Sequence, residues 1–142
     1  MVDHVLVPTD GSPLASRALT YALETFPGAR ITAIAVIDPV ESLYDAEIGG
    51  PHVSEEWAEE AEGEAEEIHA DSRSVAAEYD VELETVTRNG RPAETILDYV
   101  DETAVDQIVL GSHGRKGVER FFLGSVAERV ARNADVPVTV VS

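Results

Sequence analysis

The sequence predicts an α/β protein built on a parallel sheet. Two observations carry this. Short apolar, β-branched runs alternate along the chain with stretches of helical periodicity, the order expected of β-α-β units. Several of those runs are apolar on successive residues instead of alternate ones, as in strands covered by helices on both faces. A chain of 142 residues fits one compact domain, and we expect residues 1–142 to form a single one.

Each element follows from its local pattern. Residues 4–8 (His-Val-Leu-Val-Pro) and 31–37 (Ile-Thr-Ala-Ile-Ala-Val-Ile) read as the first two strands, both central. Between them Ala15, Ala18, Leu19, Ala22, Leu23 and Phe26 recur at spacings of three and four, and Pro27-Gly28 ends the run, so a crossover helix is expected there. Residues 38–53 hold Pro39, Gly49, Gly50 and Pro51 without periodicity and predict a long loop. Ser54 then suits the cap of a glutamate-rich helix reaching about Tyr79, with the acids on a solvated face.

Residues 81–87 begin with alternation and predict a half-exposed strand at a sheet edge. Asn89-Gly90-Arg91-Pro92 makes a turn, and Ile96, Leu97 and Val100 give a third helix its apolar stripe. Residues 107–111 form a fourth strand, a helix runs from Gly124-Ser125 to about Asn133, and residues 137–141 form the last strand.

Composition narrows the function. The net charge of −18 repels polyanions, so neither nucleic acid nor an anionic membrane surface is an expected partner. Nine of the ten cations are arginine, Lys116 being the only lysine; so acidic a surface fits a high-salt cytoplasm, where screening makes self-repulsion tolerable. The chain has no cysteine, hence no disulfide, thiolate metal site or thiol nucleophile. No basic leader and no apolar run of membrane-spanning length is found, and the expected compartment is the cytoplasm. His4, His52, His69 and His113 share no ligand spacing, so no metal site made of protein ligands is expected. The loop acids Glu41, Asp45 and Glu47 read as solvated charge.

The segment that points to chemistry starts where the fourth strand ends: Gly111, two residues, Gly114, nine residues, then Gly124-Ser125 opening a helix. Glycines without Cβ let a backbone approach a ligand, and a helix N-terminus offers unpaired N–H groups to phosphate. On that reasoning a Cβ at Gly124 is expected to intrude on bound phosphate. Ser125 adds a hydroxyl, while His113 and Arg115 stand within reach of phosphate oxygens. The spacing is neither the P-loop nor the Gly-x-Gly-x-x-Gly dinucleotide fingerprint.

It resembles the ATP-binding branch of the universal stress protein family, in which Gly, two residues, Gly, nine residues, Gly, Ser or Thr recurs. The resemblance extends to Pro8-Thr9-Asp10-Gly11-Ser12, Val36-Ile37-Asp38 and the closing Val136-Pro137-Val138. It implies a doubly wound, open parallel five-stranded sheet of order 3-2-1-4-5 with helices on both faces, Rossmann-like and similar to the adenine nucleotide alpha hydrolases. In such sheets ligands bind outside the carboxyl ends of the strands at the switch point, which places Asp10 beside Gly111. By resemblance, Pro8, Thr9 and Asp10 flank the nucleoside, with Asp10 near the ribose or a water-bridged Mg²⁺. Val36 meets adenine through its backbone. Gly111, His113, Gly114, Gly124, Ser125 and Val126 line ribose and phosphates.

The implied ligand is ATP with Mg²⁺, and the implied function is a nucleotide-responsive stress regulator that needs no catalytic residue and acts on a protein partner. Alternatives are a slow ATPase or phosphotransferase resting on Asp10, His113 or Arg115, and a protein-interaction module without nucleotide. The last strand is β-branched and uncharged. At an edge it invites pairing with its own copy, as the resemblance to a family of two-fold dimers also implies.

Overall fold

The computed structural model describes residues 2–39, 55–114 and 124–142. In chain order the elements are β1 (His4–Pro8), α1 (Pro13–Thr25), β2 (Arg30–Ile37), α2 (Glu55–Ala77), β3 (Glu84–Asn89), α3 (Pro92–Glu102), β4 (Gln107–Gly111), α4 (Ser125–Asn133) and β5 (Val138–Val141). The strands form one sheet of order β3-β2-β1-β4-β5, and every pairing is parallel. The sequence order β1-β2-β3 runs to one side of β1 and β4-β5 to the other. The chain therefore reverses its winding between β1 and β4, and their carboxyl ends flank a crevice.

Two apolar layers hold the sheet. Val5, Val7, Ile31, Ala33 and Val109 pack against Ala18, Leu19, Ala22 and Leu23 of α1 and Ala76 of α2. On the other face Leu6, Ile34, Ile108 and Leu110 pack against Ile96, Tyr99 and Val100 of α3 and Ala127 and Val130 of α4. Burying a leucine or isoleucine in such a layer contributes about 1.5–3 kcal/mol, which is why β1 and β4, buried along nearly their whole length, sit in the middle. The strands at the edges, β3 and β5, contain no fully buried residue.

The third strand starts later than the sequence pattern suggests, at Glu84 instead of residue 81. After α2 the chain turns through Asp80, whose φ is +57°, and the Val81 amide donates back to the Ala76 carbonyl at 3.1 Å. Val81 and Leu83 bury against the α1–α2 layer, so their apolar character serves the helix-to-strand turn. The alternation there belongs to packing at a helix end, and α2 stops at Ala77. Elsewhere the expected strands and helices differ from those observed by one or two residues at their ends. The glutamates of α2 are all exposed. Ser54, Glu41, Asp45, Glu47, His52 and Arg115 lie outside the described residues, as does most of the long loop.

Two histidines inside the layers are each paired through one ring nitrogen, their Nδ1 atoms being buried without a hydrogen-bond partner among the described residues. His69 of α2 is buried and its Nε2 lies 2.9 Å from Thr87 Oγ1. His4 is likewise buried, with Nε2 2.8 Å from Thr32 Oγ1. Burial holds both imidazoles below their ordinary pKa, because a charged ring is costly to desolvate. Among the described residues no helix is long and apolar enough to cross a membrane.

Candidate functional site

The turn after β1 is built by four consecutive polar or small residues. The Thr9 amide donates to the Ile34 carbonyl at 2.8 Å, tying the end of β1 to β2. Asp10 Oδ1 accepts from the Ser12 amide at 2.9 Å, closing an Asx turn. Ser12 Oγ accepts from the Ala15 amide at 3.2 Å and caps α1, with Pro13 in the first helical turn. Gly11 has φ +81°, and a Cβ there would stand 3.3 Å from Ile68 of α2, so the turn demands glycine on both conformational and steric grounds.

The turn after β4 is built against it. The Ser112 amide donates to the Val141 carbonyl at 2.8 Å, and the Gly124 amide donates to the Ser112 carbonyl at 2.6 Å. These two bonds tie the end of β5 and the start of α4 to one residue. Ser112 Oγ lies 3.2 Å from His113 Nδ1. Gly124 then caps α4 with no side-chain hydrogen bond to the first-turn amides, leaving donors at the helix start without side-chain partners.

The glycines face inward. A Cβ at Gly111 would sit 3.0–3.2 Å from Cβ and backbone atoms of Leu14, and one at Gly124 would sit 3.1 Å from His113 Cα and the Ser112 carbonyl oxygen. A Cβ at Gly114 would overlap Asp10 Oδ2. A Cβ at Gly124 would therefore meet the protein's own turn at Ser112 and His113. Gly114 has a different task, letting the β4 turn lie against the Asp10 carboxylate.

Asp10, Gly111, His113, Gly114 and Gly124 are thus brought together at the carboxyl ends of β1 and β4, with Ser125 and Val126 opening the adjoining helix. Pro8 ends β1 and Thr9 begins the turn, while Val36 lies near the end of β2, paired with Arg88 of β3. A cavity of about 290 Å³ adjoins Ser125 and Val126 and is also lined by Asp38, Arg91, Glu94 and Arg129. Sequence reasoning named none of those four as a site residue. They come from the end of β2 and the first turns of α3 and α4, and no motif joins them. A larger hollow of about 720 Å³ lies at the other end of the sheet, between Pro27–Ala29 and Tyr79–Glu82. It touches none of the candidate site residues.

The universal stress protein family model matches residues 1–142. Universal stress protein MJ0531 of Methanocaldococcus jannaschii is 36% identical over 141 residues, covering 96% of this chain and 80% of that protein. The solved structure of MJ0577, from the same organism, aligns with a TM-score of 0.82 at 28% identity over 99% of this chain and 96% of that one. A universal stress protein from Archaeoglobus fulgidus, solved in complex with dAMP, aligns with a TM-score of 0.69 at 26% identity over 100% and 98% of the two chains.

Proposed function

The chain belongs to the universal stress protein family, and from that premise we propose that it binds an adenine nucleotide, ATP with Mg²⁺, and acts as a nucleotide-responsive regulator. The observation that carries the reading is the meeting of the Asp10 carboxylate and the Gly114 turn beside a helix whose first amides have no side-chain cap. A carboxylate suits ribose hydroxyls or a hydrated Mg²⁺, and uncapped amides at the positive end of a helix dipole suit phosphate. The dAMP complex of the Archaeoglobus fulgidus relative supports an adenine nucleotide as the ligand class.

In this reading Pro8, Thr9 and Asp10 flank the nucleoside and Val36 meets the base through its backbone. Gly111, His113, Gly114, Gly124, Ser125 and Val126 line the ribose and phosphates, with His113 and Arg115 reaching phosphate oxygens. Mg²⁺, when bound with ATP, neutralises part of the phosphate charge; the residues of this chain position and shield the ligand. Binding stabilises the liganded state by mass action, and a protein partner then reads the surface so ordered. The reading takes residues 1–142 as one domain of a cytoplasmic protein.

The experiment is to denature purified protein, identify any released nucleotide, and titrate nucleotide-free protein with Mg-ATP by calorimetry. One site per chain is expected, with no phosphate release beyond a slow background. Failure of every adenine nucleotide to bind would overturn the reading, and sustained phosphate release would replace the regulator with an ATPase. The same reading includes a homodimer through β5, whose Val138, Thr139, Val140 and Val141 lie at a sheet edge. Val140→Lys is expected to weaken association in sedimentation equilibrium; an undiminished dimer would remove β5 as the interface.

A further inference from the structure

We propose that Arg91 and Arg129 form a phosphate subsite beside the nucleotide crevice and make the protein discriminate nucleotides by their number of phosphates. The inference rests on the nucleotide reading above and adds residues that no motif marks. The cavity of about 290 Å³ is bounded by Asp38, two residues beyond Val36, and by Ser125 and Val126 at the start of α4. It therefore spans the distance between the end of β2 and the helix assigned to phosphate. Its remaining walls are the first turns of α3 and α4, held together through Ala93 and Ala127 in one apolar layer.

The chemistry of this cavity is unusual for the molecule. In a chain of net charge −18, two guanidinium groups reach one small cavity. Arg91 is the residue before α3 and makes no cap bond from its side chain. It is exposed and has no ion-pair partner among the described residues. Arg129 stands one turn into α4, with Nη2 3.4 Å from Glu94 Oε1. Their side chains are 58% and 46% exposed, so water screens the pair and it contributes little. A phosphate entering the cavity takes over that guanidinium and meets the uncapped first turns of both helices. Guanidinium forks match phosphate oxygens in pairs, which a carboxylate at 3.4 Å does not exploit.

Asp38 and Glu94 balance the two arginines in formal charge, so a single phosphate already held at Ser125 gains little from the cavity. Phosphates further along a di- or triphosphate extend into it. The arginines accordingly act on the difference between nucleotides and leave the nucleoside contacts untouched.

Calorimetric titration of the parent, Arg91→Gln, Arg129→Gln and the double variant with AMP and ATP at low salt tests this. The guanidinia are exposed, so folding is not at stake. Each single variant should lower ATP affinity about five- to tenfold and AMP affinity less than twofold, and the difference should shrink as salt rises. Glu94→Gln should raise ATP affinity, because it frees Arg129 and removes a repelling charge. A double variant with the parental ratio of ATP to AMP affinity would overturn the subsite alone. A parent that binds neither nucleotide would overturn both this inference and the reading on which it rests.

Discussion

Where the strands begin, Asp106 Oδ2 accepts the amides of Asp3 and His4 at 2.9 Å each, His4 meets Thr32, and Thr32 donates to Glu84 at 3.4 Å while Arg30 pairs with the same carboxylate. Where the strands end, α3 and α4 open without side-chain caps, and the Asp10 carboxylate lies against a glycine turn. The same sheet thus carries a seam of paired polar side chains where its strands begin and, among the described residues, two helix starts without side-chain caps where they end. Closed seams answer buried polar groups from within the chain and act on stability. Helix starts without side-chain caps can offer their donors to a ligand, and the proposed nucleotide site lies at that end.

The comparison is broken most severely at Gly114. Gly114→Ala drives a methyl group into Asp10 Oδ2 and should abolish the nucleotide-dependent rise in melting temperature. In the parent that rise corresponds to about 2.7 kcal/mol at a hundredfold excess of ligand over Kd. A full rise in the variant would dissociate the two turns from the ligand. Asp10→Asn sharpens the test, since it keeps the Oδ1 acceptor for the Ser12 amide and removes only the charge. Asp10→Ala, by contrast, is expected to cost folding stability as well, because the turn loses its acceptor.

At the closed end, Thr32→Val should cost about 1–3 kcal/mol, because His4 Nε2 loses its partner inside the protein. Urea denaturation with and without Mg-ATP should give the same loss. A loss that changes with nucleotide would mean that the two ends communicate.

The smallest effect concerns pH. Burial, aided by Arg30, lowers the His4 pKa, so the unfolded chain binds protons more readily than the folded one. The associated stability is fully present above the ordinary imidazole value, ~6.5, and is lost as pH falls through the lowered folded value. The carboxylates of Glu84 and Asp106, held low by their hydrogen bonds, add their own loss only in the more acidic carboxylate range. Urea midpoints measured from pH 8 to 5 should therefore decline below neutrality, and less steeply in His4→Gln. An identical slope in both proteins would assign the decline to other groups.

The fold was legible because β1, β2 and β4 are apolar on successive residues and α1 keeps its spacing of three and four, local signals that the tertiary structure reinforces. Strand β3 was misplaced by three residues because Val81 and Leu83 are apolar for a helix-end turn, and turn packing mimics strand alternation. The order of the strands came from resemblance, since no local pattern encodes which strands lie side by side. At the crevice, spacing located the glycines, but the protein neighbours of their missing side chains, Leu14 and His113, are fixed only by folding. Glu94 and Arg129 carried no signal, and Asp38 and Arg91 were read only as parts of a strand end and a turn, because nothing local joins residues from the end of β2 to the starts of two helices.

The bonds from Ser112 to Val141 and from Gly124 to Ser112 carry a consequence for how the site can change. Both the β5 end and the start of α4 are tied to Ser112, so the two elements on either side of the crevice share a single anchor. A substitution that shifts Ser112 therefore moves the last strand and the helix start together, so the two sides of the crevice cannot drift apart independently.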